Sequence, residues 1–71
     1  MSIETKFPLA IYHARTGKEL TQAEVAEEVD ISTRWYQVIE SGRRLPGVRT
    51  AIKLMAFLDI SAKDLDGEEK K

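Results

Sequence analysis

The chain has 71 residues and a formal net charge of −1, with 42% hydrophobic residues and no cysteine. A domain of this size buries only a small core, and without cysteine it has neither a disulfide framework nor a thiolate metal site. No apolar run approaches membrane-spanning length and MSIETKF is no signal peptide, so we expect a soluble cytoplasmic protein.

The first predicted element is a helix from Pro8 to Gly17, because proline favours the first position of a helix and apolar residues follow at helical spacing. Residues 1–6 show no periodicity and are expected to form a flexible arm. We place the folded domain at residues 7–66. The charged residues 67–71 are expected to form a flexible tail.

The second predicted helix begins near Gln22 with a capping box. Thr21 can accept a hydrogen bond from the backbone of Glu24, whose carboxylate can reach back to the backbone of Thr21. Apolar residues follow on one face. Asp30 is expected to end the helix, since aspartate tolerates the left-handed conformation better than most residues.

A third helix is predicted from Thr33 to about Ser41, with Ser32 as its N-cap and Gly42 after its end. Two helices with so short a connection must cross steeply, and Ala26 is small enough to let their backbones approach. This arrangement is the helix-turn-helix unit, whose second helix can lie in the major groove of DNA. An ordinary helical hairpin within a small bundle is the alternative.

A fourth helix is predicted from Val48 to about Leu58 after the RRLPG loop. Its expected core-facing residues are Val48, Ala51, Leu54, Met55 and Leu58. Three further apolar residues flank that face and are candidates for a homodimer contact: Ile52, Ala56 and Phe57. Ser61 and Asp64 repeat the capping-box spacing and predict a final one-turn helix.

Charge is distributed unevenly along the chain. Residues 19–30 carry only acidic groups, whereas residues 31–54 carry a local charge of +4. A positive third helix and following loop are what a DNA-binding surface requires, although a solvated basic face is common in proteins of other functions.

The only histidine, His13, has no second nitrogen or sulfur ligand near it in the sequence. We therefore expect no enzyme activity, no metal or other cofactor, and no small-molecule ligand.

The motifs LTQAEVA, DIS and IESGRR, followed by Pro46, resemble the Cro/cI-type (Xre-like) helix-turn-helix regulators of phages and bacteria. The resemblance runs from Leu20 to Ile60. It implies an all-α, compact five-helix lambda-repressor-like domain with the helix-turn-helix at helices 2 and 3. It further implies a homodimeric transcriptional regulator, expected to be a repressor, that binds double-stranded DNA at a palindromic operator.

The resemblance also implies roles for individual residues. Those expected to contact bases are Thr33, Arg34, Gln37 and Val38, whose side chains suit guanine, adenine or the thymine methyl. Those expected to contact phosphates are Gln22, Ser32, Ser41, Arg43 and Arg44. One of the two loop arginines could instead enter the minor groove, or both could be solvated.

Arg15 and Glu40 occupy positions that form an ion pair in such regulators, and we expect an architectural ion pair between them. Tyr36 and Ile39 are expected to face inward. Trp35 either packs on the second helix or lies along the DNA backbone. A different function remains open, because an antitoxin-like or co-regulator module with the same fold would use the acidic second helix and the apolar flank of the fourth to bind a protein partner.

Overall fold

Four helices make up the part of the chain that the computed structural model describes, which is residues 3–61, 63 and 65. They are α1 (Ile3–Gly17), α2 (Gln22–Glu28), α3 (Thr33–Glu40) and α4 (Val48–Leu58). These residues contain no β-strand, and none of their helices is long and apolar enough to cross a membrane. The predicted all-α class is therefore confirmed for this part of the chain.

The first helix begins at Ile3, five residues before Pro8. The prediction that this helix starts at Pro8 is therefore wrong. The flexible arm predicted for residues 1–6 is likewise wrong from Ile3 onward. A proline inside a helix removes one backbone hydrogen bond. Packing compensates here, because Phe7 is only 4% exposed and Pro8 is also buried. The ring of Pro8 lies over the backbone of Gly42, which brings the start of α1 against the end of α3.

The predicted starts of α2 and α3 are confirmed, together with their caps. The backbone N–H of Glu24 donates to Thr21 Oγ1 at 3.0 Å, and that of Thr21 donates to Glu24 Oε1 at 2.8 Å. The backbone N–H of Trp35 donates to Ser32 Oγ at 3.0 Å. These bonds satisfy amide groups that have no partner within the first turn of a helix.

Each of the four helices is followed by a residue in the left-handed conformation. These residues are Glu19 (φ 59°), Asp30 (φ 64°), Gly42 (φ 84°) and Asp59 (φ 60°). The prediction for Asp30 is confirmed. After α3, Gly42 and Arg43 donate to the carbonyls of Ile39 and Val38, which closes the helix end as a Schellman motif.

The core is formed where α2 and α3 cross and where α1 packs between α3 and α4. Ala26 is 1% exposed at this position, as its small side chain predicted. The buried apolar residues are Phe7, Ile11, Val25, Ala26, Val29, Tyr36, Ile39, Leu54, Leu58 and Ile60. Burial of so few side chains makes stability depend on each of them.

The predicted inner face of α4 is confirmed at Leu54 and Leu58 and is wrong at Val48, which is 78% exposed. Val48 lies on the same line along α4 as Ile52 and Ala56, one and two turns later, and all three residues are exposed. The buried arc of α4 is therefore narrower than the periodicity predicts, and Val48 belongs to the outer face of the helix. Phe57, expected on the flank, packs partly against the core.

The predicted fifth helix lies partly outside the described residues. Its second capping residue, Asp64, and the expected tail at residues 67–71 belong to the part that is not described. Lys63 and Leu65 are helical, and Leu65 packs against the core. Four helices, and not five, are therefore established within residues 3–61, 63 and 65.

The left-handed residues lead to a prediction about stability. An L-residue in the left-handed conformation lowers the free energy of unfolding by about 1–2 kcal/mol, whereas glycine adopts this conformation without such a loss. We expect Glu19→Gly to raise the free energy of unfolding by about 1 kcal/mol and Gly42→Ala to lower it by about 1–2 kcal/mol. Gly17→Ala is the control, because Gly17 has no positive φ and no atom within 4 Å of an added Cβ. Urea unfolding measures all three, and a stabilised Gly42→Ala variant would contradict the explanation.

Candidate nucleic-acid interface

The eight residues of α3 divide into an inner and an outer face. Tyr36 and Ile39 are fully buried, as predicted, and anchor the helix in the core. Trp35 is half-buried and packs against that core, which agrees with the packing alternative for this residue. The opposite face carries the residues expected to contact bases: Thr33, Arg34 and Gln37 are exposed and Val38 is half-buried.

One shallow groove of about 340 Å³ runs along the outer face of α3 and the start of the following loop. Its lining consists of Arg34, Gln37, Val38, Ser41 and Arg43. These side chains supply a guanidinium group, an amide, a methyl surface and a hydroxyl within one concave surface. The fold therefore brings five of the residues named from the sequence together, and it leaves Thr33 and Arg44 exposed beside them.

The two serines expected at phosphates already make hydrogen bonds within the protein. Ser32 Oγ accepts from Trp35, which leaves its own proton available to an acceptor. Ser41 Oγ donates to the carbonyl of Val38 at 2.8 Å, so its proton is in use. Of the two, Ser32 is the better donor to a phosphate.

Three helices meet at the carboxylate of Glu40. Arg15 of α1 donates from Nε to Oε2 at 2.8 Å and from Nη2 to Oε1 at 3.1 Å. Gln22 of α2 donates from Nε2 to Oε1 at 2.7 Å, and Tyr36 of α3 donates its hydroxyl to Oε2 at 2.7 Å. Arg15 also donates from Nη1 to the carbonyl of Leu20 at 2.9 Å. The expected partnership of Arg15 with Glu40 is thus present, within a larger network.

The network shifts the pKa values of its members. Burial alone would raise the pKa of Glu40, but hydrogen bonds from Arg15, Tyr36 and Gln22 outweigh burial and hold that pKa below its ordinary value. Burial, and then the adjacent Glu40 carboxylate, raise the pKa of the Tyr36 hydroxyl. The hydrogen bond to Glu40 raises the pKa of Arg15. At neutral pH the network therefore consists of a carboxylate, a guanidinium ion and a neutral phenol.

Gln22 lies at the start of α2, as the sequence indicated, and in addition it pairs with two other side chains of the protein. Its side chain is half-buried between Glu40 and Gln37, and its Oε1 accepts from Gln37 Nε2 at 3.1 Å. One amide N–H of Gln22 remains for a phosphate. The sequence carried no signal for these hydrogen bonds, because Glu40 and Gln37 lie 18 and 15 positions from Gln22 and an amide side chain can pair with many other polar groups.

The residues expected at a dimer contact lie on α4, outside the groove. Ile52 is 60% exposed and Ala56 is exposed, whereas Phe57 is half-buried. His13 is exposed, with its ring against the edge of Tyr12. Among the described residues there is no group of three histidine or acidic side chains placed to hold a metal ion.

The lowered pKa of Glu40 leads to a prediction about acid stability. Folding gains from the ionised carboxylate above its unfolded pKa of about 4.3, and this gain disappears as the pH falls through the lower folded pKa. At pH 7 we expect Glu40→Gln to lower the free energy of unfolding by about 2–3 kcal/mol. This loss is smaller than for disruption of a fully buried ion pair, because Arg15 is 13% exposed. Urea titrations between pH 2.5 and 7 should show this difference shrinking below about pH 4. A difference independent of pH would contradict the assigned role.

Comparison with known proteins agrees with this geometry. The model of a family described as helix-turn-helix matches residues 11–65. Over 47 residues the chain is 40% identical to the cryptic phage CTXphi transcriptional repressor RstR of Vibrio cholerae serotype O1 (strain ATCC 39315 / El Tor Inaba N16961). The aligned stretch covers 66% of this chain and 42% of that repressor, so the chain spans less than half the length of this curated relative. No solved structure matches the chain significantly.

The matched region includes the whole of α2, α3 and α4, and therefore both helices of the unit that carries the groove. The resemblance inferred from LTQAEVA, DIS and IESGRR is thereby confirmed. The chain belongs to the Cro/cI-type (Xre-like) family of helix-turn-helix DNA-binding transcriptional regulators.

Proposed function

We propose that this protein is a sequence-specific regulator of transcription that inserts α3 into the major groove of double-stranded DNA. The observation that carries the proposal is the groove lined by Arg34, Gln37, Val38, Ser41 and Arg43 on the exposed face of a helix-turn-helix. Its side chains can read bases by complementary chemistry. Arg34 suits O6 and N7 of guanine, Gln37 suits adenine, and Val38 suits the methyl group of thymine.

The electrostatics of this surface also support the proposal. Arg34, Arg43 and Arg44 are exposed, and within the described residues none of their guanidinium groups pairs with a carboxylate. Free arginines provide the phosphate attraction that dominates affinity for DNA. Around the base-reading residues we place the phosphate contacts, which are made by Gln22, Ser32, Arg43 and Arg44, and by Ser41 once its hydroxyl turns from the carbonyl of Val38 to the phosphate.

We further propose that the regulator acts as a homodimer through the outer face of α4. Val48 and Ile52 lie one turn apart on this helix and are 78% and 60% exposed. Ala56 continues the same line one turn later. Two domains joined here would place two copies of α3 on a roughly palindromic operator, with half-sites about one helical turn apart. Occupation of a promoter by such a dimer would block transcription, and the repressor role of the similar phage protein supports this outcome.

The experiment that tests the proposal is selection from a random duplex library at near-physiological salt, followed by sequencing of the bound pool. A two-fold symmetric motif is the expected result, and its symmetry gives the half-site spacing. A folded protein that enriches no motif would contradict the proposal. That result would favour the protein-partner alternative, for which the exposed acidic residues of α2 and the apolar face of α4 are available.

Substitution of Arg34 tests the assignment of the base-reading face. We expect Arg34→Ala to weaken binding to the selected operator by about 1–3 kcal/mol and to relax preference at one base pair. Arg44→Ala is the matched control, because loss of a phosphate contact weakens all sequences alike and reduces the salt slope by about 1. Titrations against operator variants at several salt concentrations separate the two effects. An Arg34→Ala protein with unchanged preference would mean that another surface reads the bases.

Substitution of Ile52 tests the dimer surface. A charge at the centre of the exposed α4 face would be buried on association, so we expect Ile52→Glu to be monomeric in sedimentation experiments. Leu9→Glu is the control, because Leu9 is also exposed and apolar but lies on α1. Equal effects of the two substitutions on the sedimentation coefficient would exclude α4 as the specific contact.

A further inference from the structure

A chain of three polar side chains connects the interior of the domain with the groove on α3. Glu40 accepts a hydrogen bond from Gln22 Nε2 at 2.7 Å, and Gln22 Oε1 accepts one from Gln37 Nε2 at 3.1 Å. The Glu40 side chain is only 7% exposed, whereas Gln37 is exposed and lines the groove. We call this series of three side chains, Glu40, Gln22 and Gln37, the amide relay. It leads from a nearly buried charge to the proposed DNA surface.

The charge at Glu40 determines the direction of every hydrogen bond in the amide relay. An ionised carboxylate can only accept hydrogen bonds. Gln22 must therefore turn its NH₂ group toward Glu40, because its carbonyl oxygen would otherwise face another oxygen at 2.7 Å. The carbonyl of Gln22 then faces Gln37, and only the NH₂ group of Gln37 can satisfy it. One charge thus orients two amides.

This orientation limits what Gln37 can offer to a base. One of its N–H groups is used within the amide relay, so its Oε1 and one N–H remain free. Adenine presents one acceptor, N7, and one donor, N6–H, in the major groove. Guanine presents two acceptors, N7 and O6, and would match a reversed amide with both N–H groups free.

We infer that Glu40 is a specificity-determining positioning residue, which makes Gln37 select adenine over guanine without itself touching DNA. The inference rests on the proposed function, since it requires Gln37 to lie at a base pair. Arg15 and Tyr36 contribute by holding Glu40 in place through three further hydrogen bonds. The ion pair of Arg15 with Glu40 therefore has a second role beside its architectural one.

The test compares base preference at every position of the selected motif for the wild-type protein, three single variants, one control variant and one double variant. Glu40→Gln can donate as well as accept, so it allows both amides of the relay to reverse. Gln22→Met interrupts the relay but leaves the ion pair intact, and it covers the case in which Glu40→Gln folds poorly. Gln37→Ala identifies the base pair that Gln37 contacts. Ile39→Val is the matched control, because it shortens a buried side chain of the same helix without touching the relay.

The expected result is specific to one base pair. The wild-type protein should prefer adenine over guanine by roughly 10- to 100-fold at the pair that Gln37→Ala identifies. In Glu40→Gln and Gln22→Met this preference should fall to about 3-fold or less, with unchanged preference at the pair assigned to Arg34. Ile39→Val should weaken all sequences alike. Addition of Glu40→Gln to Gln37→Ala should change no preference further.

Two outcomes of the binding experiments would overturn the inference, and only the second of them also contradicts the proposed function. If Glu40→Gln and Gln22→Met keep the wild-type preference at the pair identified by Gln37→Ala, the relay does not control specificity, although the protein still reads DNA. If the wild-type protein selects no motif, both proposals fail.

A measurement without DNA tests the amide relay itself. In NMR spectra of the free protein, Glu40→Gln should shift the side-chain NH₂ resonances of both Gln22 and Gln37, whereas Ile39→Val should leave them nearly unchanged. An unmoved Gln37 resonance would show that the orientation is not transmitted from Glu40. That result overturns the inference whatever the DNA experiments find.

Discussion

The carboxylate of Glu40 is the point on which the arrangement of the first three helices depends. It accepts four hydrogen bonds from three side chains, and each of those side chains belongs to a different helix. A carboxylate this close to the core would be unfavourable without such partners, because its desolvation must be offset by charge-assisted hydrogen bonds. The angle between the helices is therefore set by directional bonds as well as by apolar packing. In a domain with so few buried side chains, these hydrogen bonds favour one relative orientation of the helices over others that would be equally compact.

The third helix, which we propose to lie in the major groove, depends on this arrangement for its existence and for its orientation. Eight residues are too few to form a stable helix alone in water. Its inner face, anchored by Tyr36 and Ile39 in the core, supplies the missing stability, and Ser32 caps its first turn. The outer face is thereby free to carry Arg34 and Gln37, and the hydrogen bond to Gln22 holds the Gln37 side chain in place. Preorganisation of this kind reduces the entropy that DNA binding must overcome.

The membership of this chain in the Cro/cI-type family places these features in a functional context, since a reading helix must be both exposed and rigid. The short connections serve the same purpose. A left-handed residue after each helix turns the chain at once, so Arg43 enters the groove directly after α3 ends. The loop that follows keeps Arg43 and Arg44 exposed beside this surface, where their charges would attract phosphates in the proposed complex with DNA.

The local features of this protein can be predicted from its amino-acid sequence alone. The capping box at Thr21, the cap at Ser32 and the turn at Asp30 involve residues within a few positions of one another, so neighbouring residue types suffice to predict them. The motifs around α2 and α3 also determined the family, which in turn named the residues that line the groove. The resemblance also indicated one distant contact, the ion pair of Arg15 with Glu40, whereas the other distant contacts became evident only in the folded chain. Burial of Phe7 extends α1 past its proline, and burial of Leu54 and Leu58 leaves Val48 on the exposed side of α4. The amide relay likewise joins residues 15 and 18 positions apart, and only the folded chain brings them within hydrogen-bonding distance.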